Sequence, residues 1–175
     1  ATWSTVSIDY DGYGGLSKLM FINSTTGFAI FGENFLLKTI DAGMSWQLVH
    51  DDLNSVMMTI ADFTFVNDTL GFLVGRNFIT KTVDGGLTWT YFSAPGNGHL
   101  EDIQFINNQI GFVVGGTANR IAPGILLKTI DGGNTWSSTI SGNIGYECTW
   151  FVTDSIGFIV DSYGYIYKTT DQGNT

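Results

Sequence analysis

One nine-residue turn recurs through this chain. It reads KTIDAGMSW over 38–46, KTVDGGLTW over 81–89 and KTIDGGNTW over 128–136, and a fourth copy, KTTDQGNT, covers 168–175. The turn aspartates Asp41, Asp84, Asp131 and Asp171 stand 43, 47 and 40 residues apart. A second motif keeps the same phase: FINSTTGFAIFG (21–32), FVNDTLGFLVG (65–75), FINNQIGFVVGG (105–116) and FVTDSIGFIVD (151–161). Two motifs recurring in step define a repeat. A period of roughly 40–50 residues holding several short strands is that of a β-propeller blade. A four-stranded sheet of this kind has two faces to bury and cannot bury both alone, whereas blades stacked side by side cover one another.

The fold class expected is therefore all-β, a propeller of four-stranded antiparallel blades. Segments such as DFTFV and GFLVG are short, aromatic and β-branched, and the 23 glycines punctuate them. No stretch sustains a helical period, and no apolar run reaches membrane-spanning length. A single propeller domain or segment is expected over 1–175, with repeat units at about 16–49, 60–92, 100–140 and 146–175. In the second unit the strands are read as Ile60–Val66, Gly71–Val74, Phe78–Thr82 and Trp89–Phe92.

Each part of the repeated turn has a folding task. Gly43, Gly86, Gly133 and Gly173 supply positive φ. Each aspartate accepts hydrogen bonds from its own turn. Trp46, Trp89 and Trp136 begin the outgoing strand and pack across the hairpin. These residues are read as structural. The ends of the chain read as broken repeats. ATWSTV at 1–6 resembles the last strand of a blade, and DQGNT stops before such a strand. The expectation is a slice of a longer propeller, whose terminal blades pack on the rest of the propeller or on another chain. The alternative is a closed four-bladed ring, with Thr2–Val6 paired to Tyr165–Thr169.

Sixteen acidic against seven basic residues give a formal charge of −9. That opposes a nucleic-acid partner, whose phosphates would be repelled. It suits a secreted, cell-surface or periplasmic setting, and membrane insertion is not expected. The single cysteine, Cys148, excludes an internal disulfide and reads as a small buried apolar residue. No cofactor motif is present. Asp9 and Asp11 in DYDGYGG are calcium-ligand candidates, without the ordered spacing of an EF-hand loop.

The turn pattern [ST]-x-D-x-G-x-[ST]-W resembles the Asp-box, or bacterial neuraminidase repeat, of sialidases, sortilin-type receptors and some glucan hydrolases. With F…GF.VG about 20 residues ahead of it, the unit resembles more specifically the photosystem II assembly-factor-like propeller repeat, which also occurs in secreted bacterial proteins. The resemblance covers essentially the whole chain and implies a propeller, usually of six or more blades. The sialidase resemblance implies three arginines on a carboxylate, but the chain has only Arg76 and Arg120. The assembly-factor resemblance implies a basic patch that binds a membrane-protein precursor. Here four of the five lysines, Lys38, Lys81, Lys128 and Lys168, belong to the repeat itself, so that activity is not carried over.

Functional residues are sought where the repeats differ. The segments SIDYDGYGG, VHDDLNSVM, APGNGH and SGNIGYE precede the first strands and are expected on one face of the ring. The insert GTANRIAPG (116–124) is expected on the opposite rim. Tyr10, Tyr13, His99, Glu101, Asp102, Tyr146 and Glu147 are the candidate binding-loop residues, with aromatics to stack on sugars or fill a partner's pocket. Asp62, Glu101, Asp102 and Glu147 would line a central channel, as a solvated rim or as a glycosidase carboxylate pair. A Cys148–His nucleophile would need His99 or His50 to fold beside it. The reading that results is a non-catalytic binding propeller of a secreted or surface bacterial protein, recognising a protein or a glycan. The alternative is a segment of an extracellular glycan-active hydrolase.

Overall fold

The computed structural model of the chain describes residues 3–6, 8, 15–32, 34–50, 59–94, 98–117, 124–142 and 144–174. It divides into two compact units, Ala1–Ile60 and Ala61–Thr175. The first unit holds one antiparallel sheet, β1 (Leu16–Phe21), β2 (Gly27–Phe31), β3 (Phe35–Thr39) and β4 (Gln47–His50), in sequential order. The second holds a sheet of β5 (Ile60–Phe65), β6 (Gly71–Gly75), β7 (Phe78–Thr82) and β8 (Thr90–Ser93). Beside it stands a sheet of β9 (Gly98–Phe105), β10 (Gly111–Thr117), β11 (Gly124–Thr129) and β12 (Ser137–Gly142). A three-stranded sheet follows, β13 (Tyr146–Phe151), β14 (Gly157–Asp161) and β15 (Ile166–Thr169). No helix occurs among the described residues, and residues 3–6 belong to no strand. The fold is that of propeller blades, each an antiparallel meander.

Local chemistry sets the two turns of every blade. In the first turn a short polar side chain closes the loop. Asn67 Oδ1 accepts from the Thr69 and Leu70 N–H groups at 3.0 and 2.9 Å, and Asn107 does the same for Gln109 and Ile110 at 2.9 Å each. In the D-x-G turn the preceding threonine and the aspartate share the work. The Thr82 hydroxyl donates to Asp84 Oδ1 at 2.7 Å and accepts from the Gly86 N–H at 2.9 Å. The Thr88 N–H donates to Asp84 Oδ1 at 2.9 Å. The same bonds recur around Asp41 and Asp131. The tryptophan precedes the outgoing strand rather than starting it, as β8 begins at Thr90. Its ring stands edge-on to the first-strand phenylalanine of its own blade, at 6.1 Å for Phe21–Trp46, 6.3 Å for Phe65–Trp89 and 6.0 Å for Phe105–Trp136.

Within the 61–175 unit the repeat also fixes how blades meet. Phe72 of β6 stacks on Phe105 of the next blade with ring centroids 4.4 Å apart, and Phe112 of β10 stacks on Phe151 at 4.2 Å. Phe72 also meets Trp136 edge-on at 6.3 Å. Lys81 lies over Phe72 and donates to Asn134 Oδ1 of the following D-x-G turn at 2.7 Å. Lys128 lies over Phe112 and donates to the Gln172 carbonyl and Asn174 Oδ1, both at 2.8 Å. Burial lowers the pKa of both ammonium groups, against the pull of Asp131 and Asp171 respectively. The two motifs visible in the sequence are thus the two sides of one blade junction.

Candidate functional site

The sheet register places the ends of the blades. In the third blade Thr117 pairs with Gly98, and Gly124 pairs with Gly142. The start of the first strand, the connection from second to third strand and the end of the fourth therefore share one rim. This corrects the expectation that the 116–124 insert sits opposite the linkers. An antiparallel meander returns to the same end after two strands, so both open on one side. The D-x-G turns gather at the other rim with the first turns, where the Gly85 N–H donates to the Thr69 carbonyl and the Gly132 N–H to the Gln109 carbonyl, each at 2.9 Å.

At the loop-bearing rim, β9 and β13 carry equivalent bulges. Val114 faces Asp102 and Gly115 faces Leu100, so Glu101 is the extra residue; Val160 faces Cys148 and Asp161 faces Tyr146, so Glu147 is. A bulge re-aims a side chain out of the regular alternation. Glu101 Oε1 lies 2.8 Å from His99 Nδ1, with both side chains about a quarter exposed at 25% and 29%. His99, read as a loop residue, belongs to β9 and is bridged to Arg76 of the second blade, where the Asn77 N–H donates to the Gly98 carbonyl at 2.9 Å. Arg76 was not visible as a candidate, because the bridge joins two blades across 23 residues of sequence.

Other candidates fall elsewhere. Tyr146 is corrected: its ring is buried with Phe112, Leu126 and Phe151, and meets Tyr167 edge-on at 5.7 Å. Asp62 is 4% exposed and accepts the Ile103 N–H at 3.1 Å. Asp102 accepts the Thr149 N–H at 2.7 Å, and Gln104 accepts the Phe151 N–H at 2.7 Å. These side chains tie the first strand of one blade to that of the next. Cys148 is exposed rather than buried. It holds the register position of Asp62 and Asp102, three residues before the first-strand phenylalanine. Asp9, Tyr10, Asp11 and Tyr13 lie outside the described residues.

The turn aspartates are strongly acidic. The hydroxyls of Ser45, Thr88 and Thr135 lead in holding Asp41, Asp84 and Asp131 down to a pKa of about 2, followed by the same residues' N–H groups and the hydroxyls of Thr39, Thr82 and Thr129. The folded value lies below the ordinary one of about 3.9. Their contribution to stability is therefore complete above about pH 4 and lost as pH falls toward 2. Asp84→Asn should melt lower than the parent at pH 7, and the gap should narrow between pH 4 and 2. A gap that stays constant in melts across this range would mean that the carboxylate charge is not what holds the turn.

The family model described as photosynthesis system II assembly factor YCF48 matches residues 46–175. The chain belongs to this family. No curated protein sequence matches it. Among solved structures, YCF48 bound to a D1 peptide superposes with a TM-score of 0.59 at 15% identity, over 98% of this chain and 85% of that one. YCF48 from Cyanidioschyzon merolae superposes at 0.69 and 15% identity, over 94% of this chain and 54% of that one. An ancestral GH74 enzyme reaches 0.76 at 15% identity, over 98% of this chain but 25% of the enzyme. At these identities the likeness is one of fold: YCF48-type blades and the blades of a much longer hydrolase share an architecture, and the family match alone separates them.

Proposed function

We propose that this chain is a non-catalytic propeller scaffold that recognises a protein segment at its loop-bearing rim, as part of a secreted or surface-displayed bacterial protein. The observation that carries the reading is the division of the blades into two ends. The repeated turns occupy one rim, and the places where the repeats differ open on the other, beside Arg76, His99, Glu101 and Glu147. A rigid scaffold with variable connections on one rim is a common recognition design. Membership of the YCF48 family and the D1 peptide held by a solved YCF48 favour a peptide over a glycan. Against hydrolysis, Asp62 and Asp102 accept backbone N–H groups of the neighbouring blade, so these two carboxylates tie blades together.

Selection from a displayed peptide library tests this. The parent chain should enrich a family of peptides, and His99→Ala and Glu147→Gln should each weaken binding roughly tenfold with an unchanged melting temperature. Turnover in a polysaccharide and glycoside screen that disappears in Asp102→Asn or Glu147→Gln, with no peptide enriched, would establish a glycan-active enzyme in place of this reading.

A further inference from the structure

One contact at the loop-bearing rim differs from its counterpart at the next blade junction. In the second blade Gly75 pairs with Phe78, so Arg76 and Asn77 form the tight turn between β6 and β7. Backbone and side-chain bonds hold that turn. The Asn77 N–H donates to the Gly98 carbonyl at 2.9 Å, and the Asn77 carbonyl accepts the Ala94 N–H at 3.1 Å and the Tyr91 hydroxyl at 3.2 Å. Arg76 is thereby bridged to His99 of the third blade. Residues bridged in antiparallel fashion carry their side chains on one side, with Cβ atoms about 4.5–5.5 Å apart. Aligned on the repeat, the same two positions at the following junction are Gly116 and Gly145, and a Cβ on Gly116 would stand 2.8 Å from the Gly145 Cα. Two glycines close that junction, so an arginine and a histidine are not needed to join blades there.

The two side chains have unlike free ends. Arg76 is exposed, and its guanidinium makes no hydrogen bond or ion pair among the described residues. It can only donate. His99 Nδ1 lies 2.8 Å from Glu101 Oε1. A carboxylate only accepts, so Nδ1 carries the proton, and in the neutral ring Nε2 is left as an acceptor. Glu101 is the positioning residue. We propose that Arg76 and His99 read a carboxamide on the bound protein segment, the side chain of an asparagine or glutamine. Arg76 donates to the amide oxygen, and the amide N–H donates to His99 Nε2. This rests on the reading of the rim as a peptide-binding site. A carboxamide presents an acceptor and a donor on separate atoms in one plane. A trans peptide unit carries the same groups on opposite sides. A carboxylate would set a lone pair against Nε2, and an aliphatic side chain would leave both groups without a partner.

The peptides that the parent chain enriches from a displayed library test this. They should share an asparagine or glutamine at one position. Replacing it by the matching acid, or by leucine or methionine, should weaken binding roughly tenfold in calorimetric titrations. In Arg76→Met and in His99→Ala the amide and apolar peptides should bind alike, with the melting temperature unchanged. Nitrogen chemical shifts of the free parent should show His99 as a neutral ring protonated on Nδ1 at neutral pH. Glu101→Gln should move those shifts toward the other tautomer and shrink the preference for the amide. Enriched peptides that share an acid, a hydroxyl or an apolar residue instead, or a His99 ring protonated on Nε2, would overturn this inference and leave the peptide-binding reading standing. A library from which nothing is enriched would overturn both.

Discussion

Phe72→Ala is expected to lower the stability of the folded chain by about 3–5 kcal/mol. The ring is fully buried. It stacks on Phe105, meets Trp136 edge-on and lies under Lys81, so two segments of the next blade and the lysine of its own blade lose a partner together. Gly133 offers no side chain to fill the space, and a cavity left at a junction between blades adds to the lost contacts. Phe158→Ala removes the equivalent ring from the fourth blade. There it is half-buried, so the expected loss is only about 1–2 kcal/mol. Urea titrations of the two variants measure the difference. Equal losses would mean that the phenylalanine supports its own blade and not the junction between blades.

The contrast between these two positions also shows what was legible in the sequence. The period, the four copies of the turn and the recurring phenylalanines were plain, because each serves its own blade through local bonds that every repeat must rebuild. What the motifs do between blades was not plain. Asp62 and Asp102 each lie three residues before the first-strand phenylalanine, and that recurrence was readable. Their targets are the Ile103 and Thr149 backbone N–H groups, which no side-chain identity betrays. A carboxylate in that position looks the same in sequence whether it lines a channel or ties two blades.

Tyr146 is buried for a reason that the repeat itself carries. The preceding SGNIG reads as a loop, which makes the tyrosine look like a loop aromatic. Aligned on the phenylalanines, however, Tyr146 falls with Ile60 and Leu100, which are 4% and 0% exposed. It is a core position that happens to hold a hydroxyl. The 116–124 insert leaves the sheet on the linker rim and not on the opposite one, because an antiparallel meander returns to the same end after two strands and Thr117 pairs with Gly98. The bulges at Glu101 and Glu147 had no signal at all. They leave no mark in residue type, and only the register of β9 on β10 and of β13 on β14 reveals them.

Gly133→Ala should be about as damaging as losing Phe72, although it adds one methyl group and deletes nothing. Two costs combine. Gly133 sits at φ +74°, where an L side chain costs roughly 1–2 kcal/mol. The new Cβ would also lie 2.3 Å from Phe72 Cε1 and 2.7 Å from Cζ, and relieving that overlap within a packed junction costs a further 1–3 kcal/mol or so. The expected total is about 2–5 kcal/mol. Gly164 isolates the first cost. Its φ is +91° and no atom lies within 4 Å of the added Cβ, so Gly164→Ala should lose only about 1–2 kcal/mol. The second cost can be removed by taking away the ring it collides with. In a Phe72→Ala background, Gly133→Ala should fall to the Gly164 value, giving a coupling of about 1–3 kcal/mol in a double-mutant cycle. Strict additivity would mean that the turn glycine is required for its backbone alone, and that the repeated D-x-G turn closes a hairpin without also receiving the neighbouring blade.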